Sequence, residues 1–297
     1  MRKYLLLALL AFANAANAQD TEGSLLDMLG TEEEKPQRVT NAFKSSRVIN
    51  SQSMELIHAG TMDFRILHRF GEVSTGYQDL YGLDNATMRM GFDYGITDDL
   101  SIGIGRSTNK KELDGFVKYR ILAQTQGKKS MPISLIWVSG LTRNGLAKPF
   151  SQPDVKVTES RRLAYYHQIV IGRKFSEKFT LQLTPTLVHT NLVENEVTPN
   201  NLVALGIGGR YKFSQRVAFV WDYSFAFNRF PGFVDYNPLS LGFDIETGGH
   251  VFQVHFSNAL GLNERAFLND KNGNWFKGNI RLGFNLSRIF QIKKNKV

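Results

Sequence analysis

Between Gly278 and Phe290 the chain reads GNIRLGFNLSRIF. Ile280, Leu282, Phe284, Leu286 and Phe290 share one parity, interrupted by Arg288. Asn279, Arg281, Gly283, Asn285 and Ser287 share the other, interrupted by Ile289. Side chains of a strand alternate between its two faces, so this stretch is a strand with one apolar and one polar face. The apolar face runs for about 25–30 Å at roughly 3.3 Å per residue, the span of a tilted transmembrane strand. Such a strand cannot cross a bilayer alone, because its backbone groups would stay unpaired. It requires a closed barrel, and the rest of the chain has to supply one.

Period 2 recurs from Thr61 onward and predicts twelve strands, at about 61–70, 86–97, 100–107, 112–122, 131–142, 162–174, 179–190, 202–213, 217–228, 239–246, 250–258 and 278–290. In the second, Met88, Met90, Phe92 and Tyr94 point out while Arg89 and Asp93 point in. In the ninth, Phe219, Trp221, Tyr223, Phe225 and Phe227 point out while Asp222 and Ser224 point in. The fifth is apolar on both faces. The links after the second, sixth, eighth and tenth strands are short, such as Thr97-Asp98-Asp99 and Thr247-Gly248-Gly249, and the one after the fourth, about 123–130, is somewhat longer. Those after odd strands are mostly long, at about 71–85, 143–161, 191–200, 229–238 and 259–276. This alternation is that of an outer-membrane barrel with short periplasmic turns and long outer loops. A soluble β-sandwich would also alternate but has no reason to show the loop parity. The expected fold is all-β: one transmembrane, antiparallel, up-and-down barrel of about 12 strands, with both termini periplasmic.

The chain opens on Arg2-Lys3, an apolar run from Tyr4 to Ala13 and Ala16-Asn17-Ala18. This is the pattern of a cleaved signal peptide, 1–18, with Ala15 as the alternative cleavage site. The run is too short to serve as a membrane helix. Residues 19–50 are polar, with an acidic Thr31-Glu32-Glu33-Glu34 run, and are expected to be a mostly disordered periplasmic leader. Within it, Ser24-Leu25-Leu26-Asp27-Met28-Leu29 is a short amphipathic patch that reads either as a frayed helix or as a docking peptide or lumen plug. The barrel is placed at 51–290, with a short basic tail at 291–297. There is no cysteine, which removes disulfides, thiol chemistry, cysteine-ligated zinc and a lipid anchor at the cleavage site. The mean hydropathy of −0.24 suits a barrel, since half of each strand faces inward. Loss of Arg2 and Lys3 takes Lys+Arg from 36 to 34 against 27 Asp+Glu. A basic exported protein suits anionic head groups or solutes, and no nucleic-acid partner is expected.

Several runs occur together: Ser46-Arg47-Val48-Ile49-Asn50, His68-Arg69-Phe70-Gly71, Gly82-Leu83-Asp84-Asn85-Ala86, Gly208-Gly209-Arg210-Tyr211, Asn237-Pro238-Leu239-Ser240, IETGGHVFQ at 245–253 and GFNLSRIF at 283–290. In these the chain resembles a family of membrane-bound β-barrel domains from Bacteroidetes-type Gram-negative bacteria, over about 46–290. The resemblance implies an outer-membrane barrel and assigns no activity or functional residue. The tail after Phe290 departs from the terminal aromatic usual in such barrels.

The chemistry is sparse. No phosphate-binding loop is present, and Gly206-Ile207-Gly208-Gly209-Arg210 lies inside a strand pattern, where glycines relieve packing. None of His58, His68, His167, His189, His250 and His255 forms a metal pair at helical or finger spacing. No cofactor is expected. The inward parities carry the information. Arg65, Arg89, Lys118, Arg120, Arg210, Lys212 and Arg281 share the lumen with Asp63, Asp93, Asp114, Asp222, Asp244 and Glu246, and with His255. Arg65 is expected to face Asp93. Asp244 is expected to approach Asp222 with a cation, a proton or His255 between them. A convergence of His255, Asp244 and Glu246 would mark a barrel enzyme acting on lipid or envelope polymer. Without it, the near-balanced wall predicts a narrow passive channel or a structural barrel. A third reading is a scaffold for a periplasmic protein docked through 19–50. Outer-membrane lipid and the outer-membrane assembly machinery are the other expected partners.

Overall fold

The structure is a computed structural model, and it describes residues 36–127, 130–148, 156–193, 198–229 and 236–293. The expected signal peptide, the patch at Ser24–Leu29 and the last four residues of the tail lie outside the described residues.

Twelve strands run in sequence: β1 (Thr61–Phe70), β2 (Ala86–Thr97), β3 (Leu100–Ser107), β4 (Leu113–Leu122), β5 (Ser134–Arg143), β6 (Leu163–Lys174), β7 (Phe179–Thr190), β8 (Asn201–Lys212), β9 (Val217–Ala226), β10 (Leu239–Thr247), β11 (His250–Ser257) and β12 (Arg281–Gln291). Each pairs antiparallel with the next, and β12 pairs with β1 to close the barrel. The seam is in register over nine pairs, from Gly283↔Arg69 to Gln291↔Thr61. The links after even strands lie at one end, called here the turn end, and are short except for 123–133; those after odd strands lie at the other, the loop end, and are long except for 108–112.

The alternation read from the sequence is the alternation of burial. Along β1 every odd residue is buried and every even residue is partly exposed. The outward face is an apolar belt: Phe92 is 47% exposed, Ile104 54% and Phe225 45%. A belt of this kind is untenable in water and natural in lipid. β5 is apolar on both faces because both faces are covered. Trp137 and Leu141 face outward, while Ile136 and Val138 are fully buried inside.

What they pack against departs from the sequence reading. The leader expected to be disordered through Asn50 is ordered from Pro36, and residues 42–54 are almost wholly buried. Two further pieces close the ends. Gln37–Arg38 pairs with Thr125–Gln126 of the β4–β5 link at the turn end. At the loop end, the long β11–β12 link folds inward around a short helix, α1 (Glu264–Asn269), whose Asn263 cap accepts from Ala266 N at 2.8 Å.

Candidate functional site: the filled lumen

The segment 40–59 is a hairpin inside the barrel. Val48 N donates to Ser51 O at 2.9 Å and Ser53 N to Ser46 O at 2.9 Å, so residues 48–51 are its tip. Both legs leave by the turn end. The first joins the β4–β5 link through Val39 N to Gln124 O, and the second meets Gly95 at the end of β2 before entering β1.

Irregular backbone at membrane depth must have its polar groups satisfied, and here the wall does it. Asp222 accepts from Asn50 N and Ser51 N, both at 2.8 Å, and from Ser51 Oγ at 3.0 Å. Gln253 donates to Val48 O at 2.6 Å and Asn285 to Ile49 O at 3.1 Å. Gln182 donates to Gln52 O at 2.7 Å and accepts from Met54 N at 2.9 Å. Lys118 donates to Ser46 O at 3.0 Å and Glu55 O at 2.6 Å. The apolar side chains of the hairpin, Phe43, Val48, Met54 and Leu56, join one cluster with the inward residues Phe116, Ile136, Val138, Tyr166 and Val170. Two wall glycines make room. A Cβ at Gly172 would lie 2.5 Å from Met54 Sδ, and one at Gly208 3.0 Å from Val48 Cγ2.

The tip also meets the loop end. Arg47 pairs with Glu264 of α1 at 2.8 Å, both side chains being at most 2% exposed, and Gln52 donates to the same carboxylate at 3.0 Å. α1 is held in turn by Arg265, which bridges Glu112 and Asp270, and by Lys110 on Asp270 at 2.9 Å. Burial pushes the Glu112 carboxyl up despite Arg265. Burial also disfavours the charged form of Asp270, but Arg265 and Lys110 outweigh it and hold that carboxyl below its usual range. An interior void beside Arg47, Arg65 and Asn285 measures about 10 Å³, room for about one water.

Of the fourteen residues expected in the lumen, Asp63, Arg65, Arg89, Asp93, Asp114, Lys118, Arg210, Asp222, Asp244, His255 and Arg281 are buried there. Arg120, Lys212 and Glu246 sit half-exposed at the turn-end rim. Arg65 reaches Asp93 at 3.7 Å and bonds Asp63 directly. Arg89 chelates Asp114, with Nε at 2.9 Å. Arg281 pairs with Glu72 at 2.5 Å. The like-charge contact of Asp222 and Asp244 does not form, because β9 and β10 set Asp222 opposite Ser240 and Asp244 opposite Ala218. Asp222 holds the hairpin tip instead, and Asp244 accepts from Gln253 at 2.7 Å. His255 is not their counter-ion. It stands opposite Gly242, and neither ring nitrogen has a hydrogen-bond partner among the described residues. Glu246 pairs with Lys44 at the rim at 3.0 Å. The acid–base cluster of His255, Asp244 and Glu246 is therefore not assembled, and no group of three metal-ligating side chains occurs among the described residues. Sequence reasoning missed Arg47 and Glu264, which lie outside the strand pattern. Arg47 does lie in one of the runs that carry the family resemblance.

A family model for the membrane-bound β-barrel domain (DUF5777) matches residues 43–290. No curated protein matches the sequence. Among solved structures, the NanC porin aligns with a TM-score of 0.47 at 8% identity, over 78% of this chain and 100% of that one. The KdgM porin gives 0.44 at 9%, over 77% and 99%. The COG4313 outer membrane channel from Pseudomonas putida F1 gives 0.42 at 14%, over 80% and 98%.

Proposed function

Because the chain belongs to the membrane-bound β-barrel domain family, we propose that it is an outer-membrane barrel of the narrow-channel class that rests closed, with residues 40–59 as its gate and both termini periplasmic. The observation that carries this reading is what fills the lumen. A purely structural barrel can fill its interior with wall side chains, as eight-stranded barrels do. Here the filling is a separate segment held by hydrogen bonds and by the ion pairs of Arg47 with Glu264 and Lys44 with Glu246, and the wall behind it carries groups suited to water: Asp93, Lys118, Gln182, Asp222, Gln253 and Asn285. A periplasmic partner docked through the leader would compete with the lumen for residues 40–50.

The absence of cysteine allows a direct test. Val48 Cγ2 lies 3.0 Å from where a Cβ at position 208 would stand, close to the sulfur-to-Cβ separation that a disulfide sets. Val48→Cys with Gly208→Cys should staple the tip to β8. In planar bilayers the unmodified protein should give sparse, small openings, the oxidised pair none, and its reduction should restore them. A large steady conductance from the oxidised pair would sink the gate. Silence of the wild-type and reduced proteins at every voltage would replace the channel with a structural barrel. For the topology, protease added to intact cells should cut within 143–161 and spare a tag after Val297; loss of that tag would reverse the orientation.

A further inference from the structure

The turn-end mouth contains a cavity of about 330 Å³ lined by Arg38, Lys44, Lys174, Arg210 and Lys212 with a single carboxylate, Glu177. We infer that this cavity is a binding site for a soluble phosphate-type oxyanion, and that the anion clamps the hairpin in place. Three of the cations come from the wall. Lys174 shares the inward parity of Gln168 on β6, and Arg210 and Lys212 that of Gly208 on β8. They face the mouth and not the lipid, so a soluble ligand is favoured over a head group. Of the other two, Lys44 comes from the entry leg of the hairpin and Arg38 from the short strand that leads into it.

The carboxylates near this site leave cationic capacity unused. Arg38 pairs with Asp99 at 2.8 Å, Lys44 with Glu246 at 3.0 Å and Lys174 with Glu177 at 2.8 Å. Asp99, Glu246 and Asp244 do not line the cavity. Arg210 is only 5% exposed, comes no nearer to Asp244 than 3.8 Å, and its Nε has no hydrogen-bond partner. A buried guanidinium without a bonded acceptor is unusual, and its planar fork suits two oxygens of one anion. Lys212 beside it makes no direct ion pair among the described residues, and its charge is shared only loosely with Glu177, which is bonded to Lys174. An oxyanion on Arg210 and Lys212, reached also by Lys44 or Lys174, completes the set.

Thr40, Asn41 and Lys44 of the lining belong to the hairpin, and Arg38 and Val39 to the segment that leads into it, so the site is complete only while the hairpin is seated. A ligand that binds one state alone stabilises that state by mass action. This coupling rests on the gate reading; the site itself does not.

The test is calorimetric titration of pyrophosphate into the purified full-length protein in zwitterionic micelles. Saturable binding at one site is expected, equally in the oxidised Val48→Cys/Gly208→Cys protein. Arg210→Gln with Lys212→Gln should weaken it at least about tenfold, the scale of losing one or two charge-assisted hydrogen bonds. Lys212→Gln alone, at the half-exposed rim, should weaken it several-fold without disturbing the fold, and Lys271→Gln at the loop end should change nothing. In bilayers, pyrophosphate on the turn side should lower the opening frequency of the wild type and not of the double variant. Absence of saturable binding, or binding untouched by Lys212→Gln and by the folded double variant, would overturn the site. Displacement of pyrophosphate by anionic lipid would overturn its assignment to a soluble ligand. Silence in the bilayer with binding intact would count against the channel alone.

Discussion

At the residue scale, buried charge decides how firmly the hairpin is held. Arg47 and Glu264 are each nearly inaccessible and depend on each other. Breaking a buried pair by removing one partner leaves the other uncompensated, at roughly 3–5 kcal/mol, whereas replacing both by apolar groups is often neutral. Arg47→Met should therefore lower the urea midpoint of the detergent-solubilised protein strongly, and Arg47→Met with Glu264→Leu should recover most of the loss. Equal losses in the single and double variants would mean that the pair does not couple. Asp222 is a different device, a carboxylate answered by two amides and a hydroxyl. Asp222→Ala strips all three donors of their acceptor, at about 1–3 kcal/mol for each donor left unsatisfied. Hydrogen exchange at the Asn50 and Ser51 amides should accelerate by orders of magnitude, and unchanged protection there would refute this account of the tip. Parity alone placed Asp222 in the lumen. Its partner was invisible, because Asn50 and Ser51 lie more than 170 residues away in the chain.

At the element scale, the strands were legible because period 2 is imposed twice, by lipid outside and by a polar interior. β1, β2, β3 and β7 have the bounds that alternation predicts, and β5, expected from about 131, begins at Ser134. The hairpin carries no period. SSRVINSQS reads as a loop because its hydrogen bonds go to the wall and not to a neighbouring strand. The α1 link is equally silent, and its order comes from the Arg265 bridge. That bridge should make the link pH-sensitive in two directions. The Asp270 carboxyl is depressed below 3.8 in the fold, so its contribution is present above 3.8 and is lost as pH falls through the lowered value. The Glu112 carboxyl is raised above 4.5, so its contribution is full below 4.5 and is lost as pH rises through the raised value. Proteolysis within 258–280 should be slowest near pH 4. Asp270→Asn should flatten the acid limb and Glu112→Gln the alkaline limb; a single monotonic profile would contradict both assignments.

At the scale of the whole molecule, the barrel and its filling are two bodies of different connectivity. The sheet has ladder hydrogen bonds throughout and a seam closed over nine pairs. The hairpin has two backbone bonds of its own across the tip and a few side-chain bonds between its legs, such as Ser53 Oγ to Ser45 O and Phe43 N to Glu55, and its remaining partners are chiefly on the wall. Residues 40–59 should therefore exchange their amides through an opening that leaves the strands protected; identical protection in hairpin and sheet would show that they open only together. The geometry also permits a simple order of events. The hairpin precedes β1, one lip of the seam, while β12, the other lip, comes last in the chain, so the sheet can wrap around a loop already present and need not be threaded by it. Both legs leave by the same end, so hairpin and wall are topologically unlinked. The loop can slide out and return without parting a single strand pair, and a closed cylinder of this kind can be emptied and refilled without ever being unfolded.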